Sequence, residues 1–284
     1  MILRKPYRPM PRDLRSIEGF VPTGNTRASI TIDPGSTYHQ LELVTNITDA
    51  ALIKEVELEL NGDTIITLTG QEMKMLEAYK KHHSEAGRYI IPFSLIEAKT
   101  SQGVQSSELV TMAGDNITLW IDVGDLSGVD KPFIRGRAKI SSPQPVRYYI
   151  PRIYRFNLNA SASGRNDHQW QKKGAEFMLR RVHCKTDGDV ITRLEIQRDN
   201  TIVYENNASD NVFDLRRDGS HAGRAPQNGY FHFDPIASGH VMEGLFPTQN
   251  QSIVFRFTVS EPTNIQCLVE EAHQVAPLPN QVAK

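Results

Sequence analysis

The sequence predicts an all-β protein built as two tandem eight-stranded jelly rolls, each with a short inserted helix. Three observations carry this expectation. Residues 55–70 and 192–207 each read as an alternating strand, a polar turn and a second β-rich run opening on Thr-Ile, and Thr64-Ile65 aligns with Thr201-Ile202 at an offset of 137. A second match, Asn116–Val123 with Ser252–Val259, falls at an offset of 136, close to half of the 284 residues. Each half also holds about eight short strand-like runs interrupted by one helical segment. An immunoglobulin-like pair fits less well, because it has seven strands and neither Trp120 nor Trp170 has the flanking cysteines of that fold.

Taken in order, residues 1–27 read as a basic, proline-rich N-terminal arm. Pro6, Pro9, Pro11 and Pro22 forbid a continuous helix. Arg4, Lys5, Arg8, Arg12 and Arg15 face only Asp13 as a counter-charge in the first fifteen residues, which suits an arm reaching a negative surface or a neighbouring subunit. Residues 28–142 form the N-terminal roll. Strands are expected at Ser29–Ile32, Gln40–Asn46 and Ile53–Leu60, the last alternating Val56, Leu58 and Leu60 with Glu55, Glu57 and Glu59. Asn61-Gly62 is a type I′ hairpin signal, and Thr64–Leu68 returns from it. Thr69-Gly-Gln-Glu72 has the form of a capping box; Met75, Leu76 and Tyr79 share one helix face, and Gly87 reads as the stop. Strands resume at Arg88–Phe93, near Leu109–Met112, at Asn116–Val123 and at Phe133–Ile140.

Ser141–Pro145, with two serines and two prolines, reads as the linker into a C-terminal roll over residues 143–274. Its strands are expected near Arg152–Leu158, Ala175–His183, Val190–Gln197, Thr201–Tyr204, Gly229–Phe233, Ser252–Val259 and Asn264–Glu270. A short capped helix is expected at Ser209–Arg217, ending at Gly219, and residues 275–284 form a loose C-terminal tail.

Composition narrows the function. The formal net charge of −1 gives the whole chain no strong pull toward nucleic acid or membrane surfaces. No apolar run approaches the ~18 residues that span a bilayer, and the first residues lack the apolar centre of a signal peptide, so a cytoplasmic site of synthesis is expected. Cys184 and Cys267 read as two reduced, packed thiols. The nine histidines include no His-x-His, and His82-His83, adjacent on a helix, diverge by ~100°. His232 reads as a satisfied strand histidine. Asp187-Gly188-Asp189 is either a polar turn or, with Asp187 and Asp189 as oxygen ligands, a structural calcium site. Arg135, Arg137, Arg147, Arg152 and Arg155, interleaved with Tyr148, Tyr149 and Tyr154, read as a polar interface between the two rolls, the other option being a base-stacking surface. Trp120 lies on an apolar strand and is expected in the core. No catalytic residues are expected, and the chain is read as not an enzyme.

The run Leu58-Glu-Leu-Asn-Gly-Asp-Thr-Ile65, then Thr69-Gly-Gln-Glu72 and the helix to Tyr79, resembles the amino-terminal coat domain of a known family. These are the double jelly-roll major capsid proteins of tailless, membrane-containing icosahedral double-stranded DNA phages of the corticovirus kind. The resemblance implies a structural viral coat protein of a bacteriophage virion. Homotrimers would form pseudo-hexagonal capsomers that tile an icosahedral shell, with function in inter-subunit surfaces. It also implies as partners neighbouring capsomers, an internal membrane or its proteins, and vertex and accessory capsid proteins, with no sequence-specific nucleic-acid binding. The arm would face the interior, the protein would occupy the host cytoplasm before assembly, and removing residues 1–15 would spare the trimer but impair the shell. The alternative on the same architecture is a glycan-directed amidase with carboxylates between the rolls, or a carbohydrate-binding protein presenting exposed aromatics.

Overall fold

The computed structural model describes residues 9–219 and 223–278. Its elements repeat once, type for type. The first half runs β1 Met10–Asp13, β2 Arg27–Thr31, β3 Thr37–Thr45, β4 Ile53–Leu60, β5 Asp63–Leu68, α1 Gly70–Tyr79, β6 Arg88–Pro92, α2 Ser101–Gln105, β7 Leu109–Val110, β8 Ile117–Val123 and β9 Ile134–Ser141. The second runs β10 Tyr149–Ala160, β11 Gly164–Gln169, β12 Phe177–Lys185, β13 Ile191–Arg198, β14 Thr201–Asn207, α3 Ala208–Asp218, β15 Tyr230–Phe233, α4 Val241–Gly244, β16 Phe246–Pro247, β17 Ile253–Val259 and β18 Thr263–Gln274. Pairing repeats too. The order β1-β9-β3-β6, with β7 on β3, recurs as β10-β18-β12-β15, with β16 on β12. The order β5-β4-β8-β2 recurs as β14-β13-β17-β11. These are two jelly rolls, each closing two sheets over an apolar core.

Alternation along the strands builds those cores. In β4 the even-numbered Val56, Leu58 and Leu60 point inward, and in β17 Ile253, Phe255, Phe257 and Val259 do so, all nearly inaccessible to solvent. Fully burying each such side chain contributes roughly 1.5–3 kcal/mol. Both inner hairpins turn through two left-handed residues, Asn61 and Gly62 (φ 54° and 84°) and Asp199 and Asn200 (φ 45° and 67°), as a type I′ turn requires. Each return strand then carries a bulge at the same place, Ile65 in β5 and Val203 in β14. Turn and bulge make the true offset here 138, so Thr64 corresponds to Ile202, not to Thr201. The match of β8 with β17 holds at 136, since Leu119 and Phe255 oppose the corresponding Leu58 and Ile196.

The helix after the first hairpin starts as expected. Glu72 N–H donates to Thr69 Oγ1 (3.1 Å) and Thr69 N–H to Glu72 Oε2 (2.7 Å), closing the capping box. It ends earlier than the glycine signal implied, at Tyr79. Lys81 takes the left-handed position (φ 56°), and the N–H groups of Lys81 and His82 reach back to the carbonyls of Ala78 and Glu77, a Schellman closure without glycine. His82 and His83 therefore lie beyond the helix. Gly87 (φ 72°) instead sits at the entry to β6, where a Cβ would meet the Thr45 carbonyl oxygen at 2.1 Å. Gly87→Ala is expected to cost about 3 kcal/mol in urea unfolding, near the upper end for single substitutions, by forcing β6 off β3. In the second half the N-cap is Asn207, which makes no side-chain cap bond, so α3 is not capped through Ser209 as its sequence suggests.

The segment ahead of β2 is tied down from Met10. β1 pairs antiparallel with β9, the place that β10 takes on β18 in the second half. Leu14, Ile17 and Phe20 then pack against the first core.

Candidate functional site

The two rolls meet edge to edge and face to face, and the residues that do this form the most elaborate polar constellation among the described residues. At the edge, β5 and β10 run parallel and pair at Ile66 and Ile153, joining a sheet of each roll into one. Arginines flank the seam. Arg152 bonds Asp63, Arg155 bonds Glu55 and lies 3.7 Å from Glu72, and Arg147 Nη2 holds Asp115 at 3.0 Å. The arginine- and tyrosine-rich centre is thus an interface between the rolls, as its composition suggested. Arg135 and Arg137 belong elsewhere, reaching Asp13 and Glu42 on the first sheet.

At the face, the last turn of α1 lies on the outer side of β12, β15 and β18. The Tyr79 ring stacks on His232 with centroids 4.3 Å apart, and its hydroxyl donates to Asp234 (2.9 Å). Arg181, with no solvent exposure, is the hub: Nε donates to Asp234 (3.0 Å), Nη2 to Glu97 (2.7 Å) and Nη1 to Glu270 (3.3 Å). Lys80 Nζ approaches Glu270 at 3.5 Å, and Arg224 Nε reaches Asp234 at 3.2 Å. Three carboxylates from two rolls share three cations in a site without water's dielectric. Such a site is costly to assemble and costly to break, so it fixes orientation more than it adds stability.

The two histidines have defined tautomers. Gln227 N–H donates to His232 Nε2 (3.2 Å), so that nitrogen bears no proton and His232 Nδ1 must carry one. It donates to His183 Nδ1 (2.7 Å), which leaves His183 Nε2–H to donate to Glu270 (3.1 Å). Burial and the neighbouring Arg181 keep both imidazoles neutral, with His232 well below and His183 below the usual value. Burial opposes the charge on Glu270, but Lys80 and Arg181 win and hold its carboxyl well below the ordinary range. Glu97 is brought down to about 2, its burial outweighed by Arg181, Lys80 and Arg224. A smaller apolar cluster, Leu95 and Ala98 with Ile236 and Val241, fastens the loops around α2 and α4 beside it.

The other residues singled out by sequence fall outside this constellation. Arg4, Lys5 and Arg8 lie outside the described residues. Arg12 and Arg15 are exposed and both reach Asp33, Arg15 Nη2 at 2.5 Å and Arg12 at 3.8 Å. Asp187 is exposed in its turn, while Asp189 Oδ1 accepts the Gly229 N–H (2.6 Å). Among the described residues, no group of three or more His, Cys, Asp or Glu is placed to hold a metal. Cys184 and Cys267 are free and buried, facing each other across β12 and β18 with sulfurs 3.8 Å apart. Trp170 is core, stacked on Phe255 (4.8 Å). Trp120 is not core. It is half-buried on the outer face of β8 under Arg27, its Nε1–H donating to Glu59 (3.1 Å), because its strand shows one face to solvent. Glu97, Asp234 and Glu270 at the face are buried and held by Arg181, and Asp63, Glu55 and Asp115 along the seam are each paired with an arginine, unlike the open acidic pair that the amidase alternative requires. Sequence reasoning missed Arg181, Glu97, Asp234 and Glu270 altogether. The available signal was the charged pairs Arg180-Arg181 and Glu270-Glu271, each set between apolar residues within a strand.

Comparison with known proteins agrees with this duplicated architecture. The family model for the viral coat protein P2 N-terminal domain matches residues 11–141, and that for the viral coat protein P2 C-terminal domain matches residues 150–275. No curated protein matches the chain. Among solved structures it is similar to the major capsid protein P2 of bacteriophage PM2, with a TM-score of 0.84 and 18% identity over 95% of this chain and 98% of that one. It is similar to a chain of Sulfolobus turreted icosahedral virus, with a TM-score of 0.71 and 13% identity over 97% and 95%. It is also similar to a chain of the PBCV-1 virus capsid, with a TM-score of 0.62 and 10% identity over 96% of each.

Proposed function

Because the chain belongs to the viral coat protein P2 family, a family of structural coat proteins rather than enzymes, we propose that three copies close into a pseudo-hexagonal capsomer that tiles an icosahedral shell over an internal membrane. The capsid role itself, and a place in the virion, follow from the family. The trimer, the membrane and the vertex partners are our reading. One observation carries it: two rolls of the same element order, locked by a seam and a buried charge cluster into one rigid pair. A rigid pair of near-equivalent units gives a threefold ring six similar positions, which suits hexagonal packing without a second protein. The division into an N-terminal roll over residues 28–142 and a C-terminal roll over 143–274 then leaves β1 as a strand supplied to the first roll from the arm. Before assembly the protein would reside in the host cytoplasm.

Light scattering tests the trimer. The expected mass is three times the 32.0 kDa chain, about 96 kDa; a strict monomer at every concentration would end the capsomer reading. Truncation tests the arm. Since residues from Met10 onward pair with β9, the informative deletion is residues 1–8, which removes Arg4, Lys5 and Arg8 and leaves β1 in place. The shortened protein should remain trimeric and fail to form closed shells around membrane vesicles. Normal particles from it would show that the basic residues do not serve assembly.

A further inference from the structure

We propose that a second copy of this chain docks on the edge of β14 and the outer face of α3, presenting its own β1 and the groove beside its β3 and β6. The proposal rests on the trimeric reading and names its surface. In a ring of duplicated chains, the junction between copies uses the counterparts of the junction within one. That inner junction pairs β5 with β10 and lays the end of α1 on β12, β15 and β18. The counterparts are β14 with β1, and the end of α3 with the outer face of β3, β6 and β9. Both β14 and β1 are sheet edges with no strand on their outer side among the described residues. The outer face of β3 and β6 is open as a groove of about 590 Å³, bordered by Glu42, Ile90, Arg137 and Lys139.

The residues at these counterpart positions support the docking. The shared turn, bulge and helix start equate Glu55 with Arg193, Met75 with Phe213 and Lys80 with Asp218. The shared bulges of β3 and β12 against β9 and β18 equate Glu270 with Lys139, and hence Arg155 with Asp13. Two ion pairs of the inner junction therefore reappear with their signs exchanged. Arg155 with Glu55 becomes Asp13 with Arg193, and Lys80 with Glu270 becomes Lys139 with Asp218. Of the remaining pairs, Arg152 with Asp63 becomes Met10 with Thr201 and carries no charge, and the longer contact of Arg155 with Glu72 becomes Asp13 with Asp210, two like charges. Met75, part of the first core cluster and only 8% exposed, has as its counterpart Phe213, 59% exposed. Met10, Ile202 and Val203, on the two free edges, are exposed large apolar side chains as well. Unpaired edges and bare apolar side chains of this kind call for a partner, and the exchanged charges make that partner a copy of the same chain, joined head to tail.

Charge exchange tests the surface. Asp218→Lys and Lys139→Glu, each on an exposed side chain, should shift the scattering mass from about 96 kDa toward 32.0 kDa at concentrations where the unaltered chain is trimeric. The double variant should restore the trimer, and Phe213→Asp should abolish it. Thermal unfolding of each monomer, unchanged in cooperativity, shows that the fold survives. If the unaltered chain is trimeric and both single variants stay trimeric, the surface is wrong while the trimer stands. If the single variants dissociate and the double does not recover, the Asp218–Lys139 pairing is wrong. A monomeric unaltered chain removes the trimeric reading beneath the proposal.

Discussion

Arg181→Met is expected to lower stability by about 3–5 kcal/mol. The residue is fully buried and holds Asp234, Glu97 and Glu270 at once. Methionine matches much of its length but neutralises nothing, so three carboxylates are left in a site that water does not reach. Lys80 and Arg224 compensate only in part, since each reaches one of the three, Glu270 and Asp234 respectively. For a chain of this size each kcal/mol lowers Tm by roughly 2–4 °C, so a loss of roughly 6–20 °C is expected in a melting curve. Arg165→Met, removing an exposed partner of Asp167, is the control and should cost less than about 1 kcal/mol. Adding Glu97→Gln to Arg181→Met should recover part of the loss, because it removes one of the stranded charges. A cost below about 1 kcal/mol for Arg181→Met would mean that the cluster relaxes or admits water, and that the apolar seam alone holds the rolls together.

The duplication was legible in the sequence because strands and turns are local. Alternating burial set β4 and β17, paired left-handed residues set both hairpins, and Thr69 with Glu72 set the start of α1. The junction was less legible because its chemistry is assembled from distant segments. Arg181, Asp234 and Glu270 are separated by up to 89 residues and meet only when three strands align in one sheet. Errors of detail have local causes. Lys81 closes α1 in a conformation usually left to glycine, since the Schellman bonds and the docking of Tyr79 hold it there. Residues 10–13, Met-Pro-Arg-Asp, have a fully exposed burial pattern and no alternation, so nothing in them signals the strand that β9 makes of them.

The junction should also set the acid limit of the protein, and the sign follows group by group. His39 and Glu108 lie 3.3 Å apart in the first roll, but they are not an ion pair. Burial, then Lys139, lowers His39 to about 4, and burial raises Glu108 to about 7. Between about pH 4.5 and 6.5 the folded state therefore holds one proton on Glu108, and the unfolded state holds one on the histidine. Equal proton counts give no slope, so this pair is silent in that window. His183 and His232 do not cancel. Both are lowered, so the unfolded chain binds the extra protons below about pH 6.5, and stability falls by up to about 1.4 kcal/mol per pH unit for each until it charges. His168 and His273, also lowered by burial, act in the same sense, and Glu72, raised by burial, acts against it. Below about pH 4.5 the depressed carboxylates take over. Glu97, at about 2 when folded, contributes stability that is present above its unfolded value and lost toward pH 2, roughly 3 kcal/mol in all, and Glu270 adds to it. Urea unfolding from pH 7 to pH 3 should thus show stability falling from about pH 6.5 and more steeply below 4.5. Glu97→Gln should remove one proton's worth of slope below 4.5 and leave the region above it unchanged. His39→Gln should uncover the opposite slope of Glu108 and make the fall in stability between pH 7 and pH 5 shallower than in the unaltered chain. A flat profile between pH 6.5 and 4.5 would mean that the buried histidines are charged or hydrated in the folded protein, and the relay from Gln227 to Glu270 would have to be abandoned.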